Sequence, residues 1–236
     1  MSQGLAPTRS KARALLLAGS VRLGERIISK AGELVSESAA LKFIENEELK
    51  YVSRGGLKLE GALRHFGCEV KGAVALDVGA STGGFTDCLL RHGAHLVYAL
   101  DVGRNLIHEK LRQDPRVRLI EKVNARYLQP QLFDPKPSLA VMDVSFISVT
   151  KVLPAVTASL ARPARLLCLI KPQFEAKRGE APGGVVRQDA IRERVVREAT
   201  DFAIHDLAWE LAGVVPSPIT GRNGNIEFFA YFQMNV

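Results

Sequence analysis

A short apolar run, a glycine-rich turn and the start of a helix follow one another in Ala75-Leu76-Asp77-Val78-Gly79-Ala80-Ser81-Thr82-Gly83-Gly84-Phe85. This order predicts a buried β-strand that leads directly into a helix. In an open α/β sheet, ligands bind at the carboxyl ends of the strands, and glycine lets ligand atoms approach the backbone closely. The candidate ligand-binding residues of this turn are therefore Asp77, Gly79, Ser81, Thr82, Gly83, Gly84 and Phe85.

Strand-like and helix-like segments alternate on the carboxyl side of this turn. Predicted strands cover residues 73–78, 96–102, 117–122, 139–144, 166–171, 213–216 and 226–232. Predicted helices cover residues 85–92, 105–113, 150–161 and 189–211. Strands that alternate with helices indicate an α/β fold, in which helices cover both faces of a parallel sheet.

The second predicted strand ends with a carboxylate that suits a nucleoside ligand. Asp101, followed by Val102, lies 24 residues after Asp77, where it can accept hydrogen bonds from ribose hydroxyls. Dinucleotides and S-adenosylmethionine both use this arrangement. Two details favour S-adenosylmethionine over a dinucleotide. Ser81 stands where the dinucleotide fingerprint has its second glycine, which must let a pyrophosphate approach. Asp77 is placed to fix the loop and to face the cationic end of the methyl donor. A purely structural turn and a nicotinamide-dependent oxidoreductase remain the alternatives.

Four charged residues lie where a buried element would favour apolar ones. Lys58 is in the first turn of a helix that follows Ser53-Arg54-Gly55, and Glu227 opens the last strand. Asp143 and Lys171 end the fourth and fifth strands, so adjacent strands would bring them to the edge that carries the glycine loop. Lys58 as a solvated helix charge and Glu227 as a strand-edge charge that prevents aggregation are the plain alternatives.

Length and composition limit the class of protein. The 236 residues suggest one full domain and a small appendage, and 47% hydrophobic with 24% charged residues excludes a wholly disordered chain. Three scattered cysteines without a CxxC pair exclude a disulfide scaffold and argue against a zinc site, and no metal site is predicted. No apolar run approaches the roughly 20 residues of a membrane span, and no secretion signal is recognisable, so we expect a cytoplasmic protein.

The net charge of +7 favours a polyanionic partner and is concentrated near the amino terminus. Residues 1–30 contain six basic residues against Glu25 alone, a net charge of +5. A basic helix over 11–17, followed by short strand-like segments, predicts an RNA-docking domain over residues 1–50 that contacts phosphates through Arg9, Lys11, Arg13 and Arg22. A solvated helix face is the alternative. A polar hinge at 45–50 separates this part from a second domain, 51–236.

Several long motifs resemble one known family. SRGGLKLE, LDVGASTGGFTD, MDVSFIS, IKPQFEA, GGVV and GNIEF are similar to the motifs of the TlyA family, often labelled haemolysin, within the FtsJ-like RNA ribose 2′-O-methyltransferases. The resemblance runs from about residue 4 to the carboxyl terminus. It implies a class I S-adenosylmethionine-dependent methyltransferase fold with a mostly parallel seven-stranded sheet. The implied activity is 2′-O-methylation of a ribose, a cytidine in the family, in ribosomal RNA or a ribosomal subunit, with no obligate protein partner.

The resemblance also implies roles for particular residues. A catalytic Lys-Asp-Lys-Glu tetrad falls on Lys58, Asp143, Lys171 and Glu227, and donor-binding positions fall on Gly79, Ser81, Gly83, Phe85, Asp101 and Asn124. Many members of the wider superfamily carry aspartate at the Asn124 position. Lys171 is the candidate to activate or hold the target oxygen, as a base or as an electrostatic stabiliser. Arg54, Lys177, Arg178 and Arg187 flank the site and are expected to hold RNA phosphates, and three glycines predict a mobile lid over 175–188.

The amino-terminal stretch 4–27 resembles the second helix and hairpin of a small RNA-binding module shared with ribosomal proteins and pseudouridine synthases. We expect a small α+β module that lacks the usual first helix, since only three residues precede Gly4. Two other functions remain open: a membrane-perturbing haemolysin, which needs a strongly amphipathic surface helix, and a non-catalytic RNA-binding protein. The mixed charge of the predicted 189–211 helix is more typical of a helix that covers a sheet.

Overall fold

The structure is a computed structural model that describes residues 12, 21–24, 26–28, 32–33, 35–36, 39–43 and 50–235. Among its amino-terminal residues, Val21–Leu23 (β1) pairs antiparallel with Arg26–Ile27 (β2) and with Leu41–Phe43 (β3). Arg22 lies in β1. Arg9, Lys11, Arg13 and, apart from residue 12, the predicted 11–17 helix lie outside the described residues. The division into domains at residue 50 stays a prediction.

Within residues 50–235, seven strands form one sheet in the order β6-β5-β4-β7-β8-β10-β9. The strands are β4 Val74–Val78, β5 Leu96–Asp101, β6 Val117–Glu121, β7 Leu139–Met142, β8 Ala164–Ile170, β9 Glu210–Pro216 and β10 Phe228–Met234. The first five in this order run parallel, and β10 lies antiparallel between β8 and β9. The mostly parallel seven-stranded sheet is confirmed.

The order of the strands reverses beside the glycine loop. The chain continues from β4 to β5 and β6 on one side and then returns to β7 on the other side of β4. Such a reversal opens a crevice between the carboxyl ends of β4 and β7, where ligands of open α/β sheets bind. We call this side of the sheet the carboxyl edge. Because β10 is antiparallel, its amino end lies at the same edge.

Helices cover both faces of the sheet, as predicted. The alternating side chains of β8 show this: Leu167 and Leu169 pack with the residues of one buried cluster, and Leu166 and Cys168 pack with the other. The first face is covered by α1 (Gly55–Phe66) and α2 (Gly84–Arg91), and the second by α4 (Leu153–Ser159) and α6 (Asp189–Leu207). Two one-turn helices, α3 (Glu109–Arg112) and α5 (Pro172–Glu175), lie near the carboxyl edge.

Two predicted helices are too long. The 105–113 prediction is wrong for its first half, because Asn105 has a φ of 55° and donates its backbone N–H to Glu121 (2.9 Å), which leaves only α3 helical. The 189–211 prediction overruns because Ala208 adopts a φ of 57° and ends α6. The buried Trp209 then donates to Thr157 Oγ1 (2.9 Å), and β9 begins at Glu210. None of the described helices is long and apolar enough to cross a membrane.

Candidate active site

The glycine loop is held between three strands at the carboxyl edge. The backbone N–H groups of Gly79 and Ala80 both donate to the carbonyl of Leu100, at 2.9 and 3.0 Å. Gly79 has a φ of +86°, and a Cβ at this position would lie 2.4 Å from the carbonyl oxygen of Asp143. Only glycine fits this conformation and this close approach. The loop and the end of β7 therefore meet directly in the crevice.

Asp101 fixes the outer part of this loop. Its carboxylate accepts hydrogen bonds from the backbone N–H of Ser81 (2.8 Å) and from that of Gly103 (2.7 Å). Ser81 is held with a φ of 49°, an uncommon conformation for a residue other than glycine. The predicted ribose-binding carboxylate is thus in the expected place and also orders the loop.

Asp77 is fully buried beneath the loop. One carboxylate oxygen accepts from Thr86 Oγ1 (2.6 Å), and the other, Oδ1, has no hydrogen-bond partner among the residues that the structure describes. Burial, together with the nearby negative charges of Asp143 and Asp101, raises the pKa of Asp77 to about 7. The hydrogen bonds from Thr86 act in the opposite direction and lower this pKa, but they do not cancel the effect of burial. A buried carboxylate oxygen without a partner is the kind of group that a cationic ligand would satisfy.

Two adjoining cavities open at the carboxyl edge, and both are lined by Gly79, Ser81 and Asp143. The first, of about 530 Å³, extends over Asp101 and Asn124. Its other lining residues include three exposed apolar side chains, Val102, Leu106 and Phe146. The second, of about 680 Å³, extends over Lys58 and the start of α1. The lining residues of this second cavity include Ser53, Arg54, Thr82, Gly84, Phe85 and Thr220.

The first cavity fits an adenosyl group. Exposed apolar side chains offer surfaces for a flat base, and Asp101 lies where a ribose would need acceptors. Asn124 lines this cavity, but its Oδ1 accepts the backbone N–H of Arg126 (3.0 Å) and caps the short helix Ala125–Tyr127. Every predicted donor-binding residue thus lines one of the two cavities, except Asp77 and Gly83, which are buried.

Lys58 and Glu227 form the first ion pair of the site. Lys58 Nζ lies 2.5 Å from Glu227 Oε2, and the two side chains are 12% and 3% exposed. Gln173 donates to the other Glu227 oxygen at 3.2 Å. A Cβ on Gly221 would lie 2.1 Å from Glu227 Oε1, so any larger residue there would displace the carboxylate from this position. Charges this deeply buried are stable only when they are paired, which both partners achieve here.

Lys171 and Asp143 form the second ion pair, between the ends of the parallel strands β8 and β7. Lys171 also donates from Nζ to Ser145 Oγ at 2.9 Å, and its Nζ lies 5.8 Å from the centre of the Phe174 ring. Phe228 at the start of β10 lies opposite Ile170 at the end of β8. Continuing this antiparallel register by one residue places Glu227 opposite Lys171. The structure therefore brings all four predicted tetrad residues to the carboxyl edge, as two lysine–carboxylate pairs.

The predicted phosphate-binding residues are less close together. Arg54 is exposed and lines the larger cavity, and Lys177, Arg178 and Arg187 are exposed on the segment after α5. That segment is tied to the rest of the fold at several points. The Asn225 side chain bonds Gly184 O (2.8 Å) and Val186 N (3.2 Å), Arg192 of α6 donates to Val186 O (2.8 Å), and Arg194 of α6 pairs with Glu180 (2.5 Å). The predicted mobile lid and the RNA contacts stay predictions.

Several residues of the site were missed by sequence reasoning. Thr86, Ser145, Gln173 and Glu175 touch predicted site residues or hold their loops. All four lie inside or next to the motifs that carry the family resemblance, which is the signal that could have identified them. Within the described residues, no group of three or more His, Cys, Asp or Glu side chains is arranged to hold a metal ion.

The chain is similar in sequence and in fold to several known proteins. A family model described as FtsJ-like methyltransferase matches residues 51–234. Hemolysin A of Brachyspira hyodysenteriae is 46% identical, covering 98% of this chain and 96% of that protein. The 16S/23S rRNA (cytidine-2′-O)-methyltransferase TlyA of Mycobacterium tuberculosis is 43% identical, covering 98% and 86%. A solved structure of a provisionally named hemolysin from Streptococcus thermophilus matches with a TM-score of 0.81 and 45% identity. The match covers 99% of this chain and 86% of that structure's chain.

Proposed function

This chain belongs to the FtsJ-like methyltransferase family, and on that premise we propose that it transfers a methyl group from S-adenosylmethionine to a ribose 2′-hydroxyl of ribosomal RNA. The observation that carries the proposal is the position of the two lysine–carboxylate pairs. They lie at the edge of the sheet where the two cavities meet at Gly79 and Asp143. One cavity suits an adenosyl group, and the other is wide enough for a nucleotide of an RNA strand.

The chain's own residues account for binding of the methyl donor. Val102, Leu106 and Phe146 would contact the base and Asp101 the ribose, while Asp77, below the glycine loop, would face the cationic part. S-adenosylmethionine, when bound, supplies an electrophilic methyl group on a positively charged sulfur. The methyl acceptor would enter from the side of the larger cavity, past Lys58.

The lysines act on the oxygen that receives the methyl group. A ribose hydroxyl is a weak acid, so its proton must be removed or shared as the new C–O bond forms. Lys171 Nζ would hold this oxygen and stabilise the negative charge that develops on it, with Asp143 fixing the direction of the amine. Lys58, held by Glu227, would orient the same ribose from the α1 side.

The nature of the RNA is carried over from the named relatives. The Mycobacterium tuberculosis relative is named as acting on cytidine in 16S and 23S ribosomal RNA, and we propose a cytidine of ribosomal RNA as the target here. We propose that the enzyme meets this RNA in a ribosomal subunit and acts in the cytoplasm. Residues 1–50 would dock RNA through Arg9, Lys11, Arg13 and Arg22, and residues 51–236 would carry the catalytic domain, with Arg54, Lys177 and Arg178 beside the site.

The test is methyl transfer from radiolabelled S-adenosylmethionine to separated 30S and 50S subunits of a bacterial strain that lacks this modification. Mapping should find the label on a ribose 2′-oxygen. Lys171→Ala should lower the rate by at least about a hundredfold, because it removes the group that holds the reacting oxygen, while donor affinity persists. Lys136→Ala, at the exposed amino end of β7, is the matched control and should retain full activity.

Label on a base instead of a ribose would refute the proposed reaction, and no label on either subunit would refute the proposed substrate. Near-normal activity of Lys171→Ala would refute the role of this lysine. Isothermal titration with S-adenosylmethionine should give the same dissociation constant for the variant within about threefold, because Lys171 does not line the cavity that suits the adenosyl group.

A further inference from the structure

We propose that Ser145 is a positioning residue for Lys171. The side chains that act around the reacting oxygen then include Ser145 in addition to the two lysine–carboxylate pairs. The inference rests on the proposed function, since it concerns the direction in which Lys171 presents its amine. Ser145 Oγ accepts a hydrogen bond from Lys171 Nζ at 2.9 Å, and Ser145 lines the cavity that suits the adenosyl group. It is two residues from Asp143, so one loop supplies both polar partners of the amine.

An ammonium group has three N–H donors in a tetrahedral arrangement. Lys171 Nζ contacts Asp143 Oδ1 and donates a hydrogen bond to Ser145 Oγ, and these two fixed partners limit the directions left for its other N–H donors. On another side of Nζ lies the Phe174 ring, which offers no strong acceptor. A single carboxylate partner would leave the amine free to rotate about one contact, whereas two partners on one loop define its orientation. Ser145 thereby determines where the third N–H meets the target oxygen.

The loop that carries Ser145 is itself held at both ends. At its start, the backbone N–H of Asp143 donates to Val78 O (2.9 Å) and so ties the loop to β4. At its far end, the half-buried carboxylate of Glu175 accepts from Ser148 Oγ (2.6 Å) and from the backbone N–H of Val149 (2.8 Å). Glu175 follows Lys171 by four residues, so the segment after β8 holds the segment after β7 in register with it. Ser145 is an exposed side chain on a fixed backbone.

Removing this hydroxyl should affect the chemical step and leave binding unchanged. In Ser145→Ala the amine keeps Asp143 as its partner but loses the second contact that orients it. Small errors in the position of a reacting group lower rates strongly, so we expect kcat to fall roughly tenfold or more. The KM for the ribosomal subunit and the dissociation constant for S-adenosylmethionine should stay within about twofold of wild type. The side chain is exposed, so the melting temperature should change little.

The experiment compares wild type, Ser145→Ala, Ser145→Thr and Ser138→Ala under single-turnover and steady-state conditions on the same ribosomal subunit. Ser145→Thr restores a hydroxyl at the same atom and should return kcat to within about threefold of wild type. Ser138→Ala removes a hydroxyl just before β7, at the opposite edge of the sheet, and should be silent.

A wild-type kcat in Ser145→Ala overturns the inference, and so does a threonine variant as slow as the alanine variant. A lower melting temperature or weaker donor binding in Ser145→Ala that accounts for the loss of rate also overturns it, because Ser145 would then have a structural role. These results are distinct from failure of the proposed function, in which wild type itself would not methylate the ribose.

Discussion

The buried carboxylate of Asp77 is the residue whose ionisation should be most visible in the stability of the protein. It is fully excluded from solvent, one of its oxygens lacks a partner among the described residues, and its pKa is raised from 3.8 to about 7 by burial and by Asp143 and Asp101. A folded-state pKa above the unfolded value means that the folded protein binds the proton more tightly. The stabilising contribution of Asp77 is therefore complete below its ordinary pKa and is lost as the pH rises through about 7.

Asp77→Asn should remove this pH dependence. The compared quantity is the free energy of unfolding of wild type minus that of the variant. We expect this difference to decrease by up to about 4 kcal/mol as the pH rises from 4 to 7, since each pKa unit corresponds to about 1.4 kcal/mol. Urea denaturation of both proteins at intervals across this range measures the difference. Parallel stability curves for the two proteins would show that folding does not raise the pKa of Asp77.

Candidate site residues could be named from the sequence only where motifs carry them. Lys58, Asp143, Lys171 and Glu227 were identified in this way, and the structure brings them together. Their pairing was not predictable, because Lys58 and Glu227 are 169 positions apart and meet only after β10 is placed beside β8. Ser145 was missed for a related reason: a serine after a strand has no period or charge that distinguishes it from an ordinary loop residue.

At the scale of elements, the contact between α1 and α2 controls where Lys58 lies. The first turn of α2 packs so closely on that of α1 that a Cβ on Gly84 would lie 2.3 Å from Ser53 Oγ and 3.0 Å from the backbone nitrogen of Gly56. Backbone atoms cannot rotate away as a side chain can. A larger residue at position 84 must therefore separate the two helices, and α1 carries Lys58 in its first turn.

Gly84→Ala should destabilise the protein by about 1–3 kcal/mol, the usual range for overpacking a close contact. Gly55→Ala is the matched control, because a Cβ there would meet Phe85 and Ser53 at an ordinary 3.5 Å. It should change the free energy of unfolding by less than about 0.5 kcal/mol. Equal effects of the two substitutions in chemical denaturation would contradict the close contact at Gly84.

The order of elements was more predictable than their ends. Apolar runs located the seven strands, most clearly β4, β7 and β8 at the centre of the sheet, which are buried on both faces. Helix ends depended on contacts that are distant in sequence. The hydrogen bond from Asn105 to Glu121 shortens one predicted helix, and the burial of Trp209 against Thr157 accompanies the end of another. Local propensity contains neither of these contacts.

At the scale of the whole molecule, the distribution of charge predicts that RNA binding and chemistry are separable. The tetrad pairs its two lysines with two carboxylates, so it contributes little net charge to RNA attraction. Of the total charge of +7, a net +5 belongs to residues 1–30, which include Arg9, Lys11 and Arg13. If these three side chains contact phosphates, their loss should weaken RNA binding and leave the rate at saturating RNA unchanged.

Replacing Arg9, Lys11 and Arg13 together by glutamine tests this division. Each phosphate contact contributes about 0.7–0.9 to the slope of log affinity against log salt, so the triple variant should lower the slope by roughly two. The matched control replaces Lys71, Lys136 and Arg162, three exposed residues that precede β4, β7 and β8 at the edge opposite the site. Filter binding of ribosomal RNA between 50 and 300 mM KCl, a range set by the usual salt sensitivity of phosphate contacts, measures both slopes. Both triple variants lose three positive charges. A smaller slope in the amino-terminal variant alone would show that its three residues contact phosphates. Equal slopes in the two variants would mean that only the total charge matters and would refute the docking role of the amino-terminal residues.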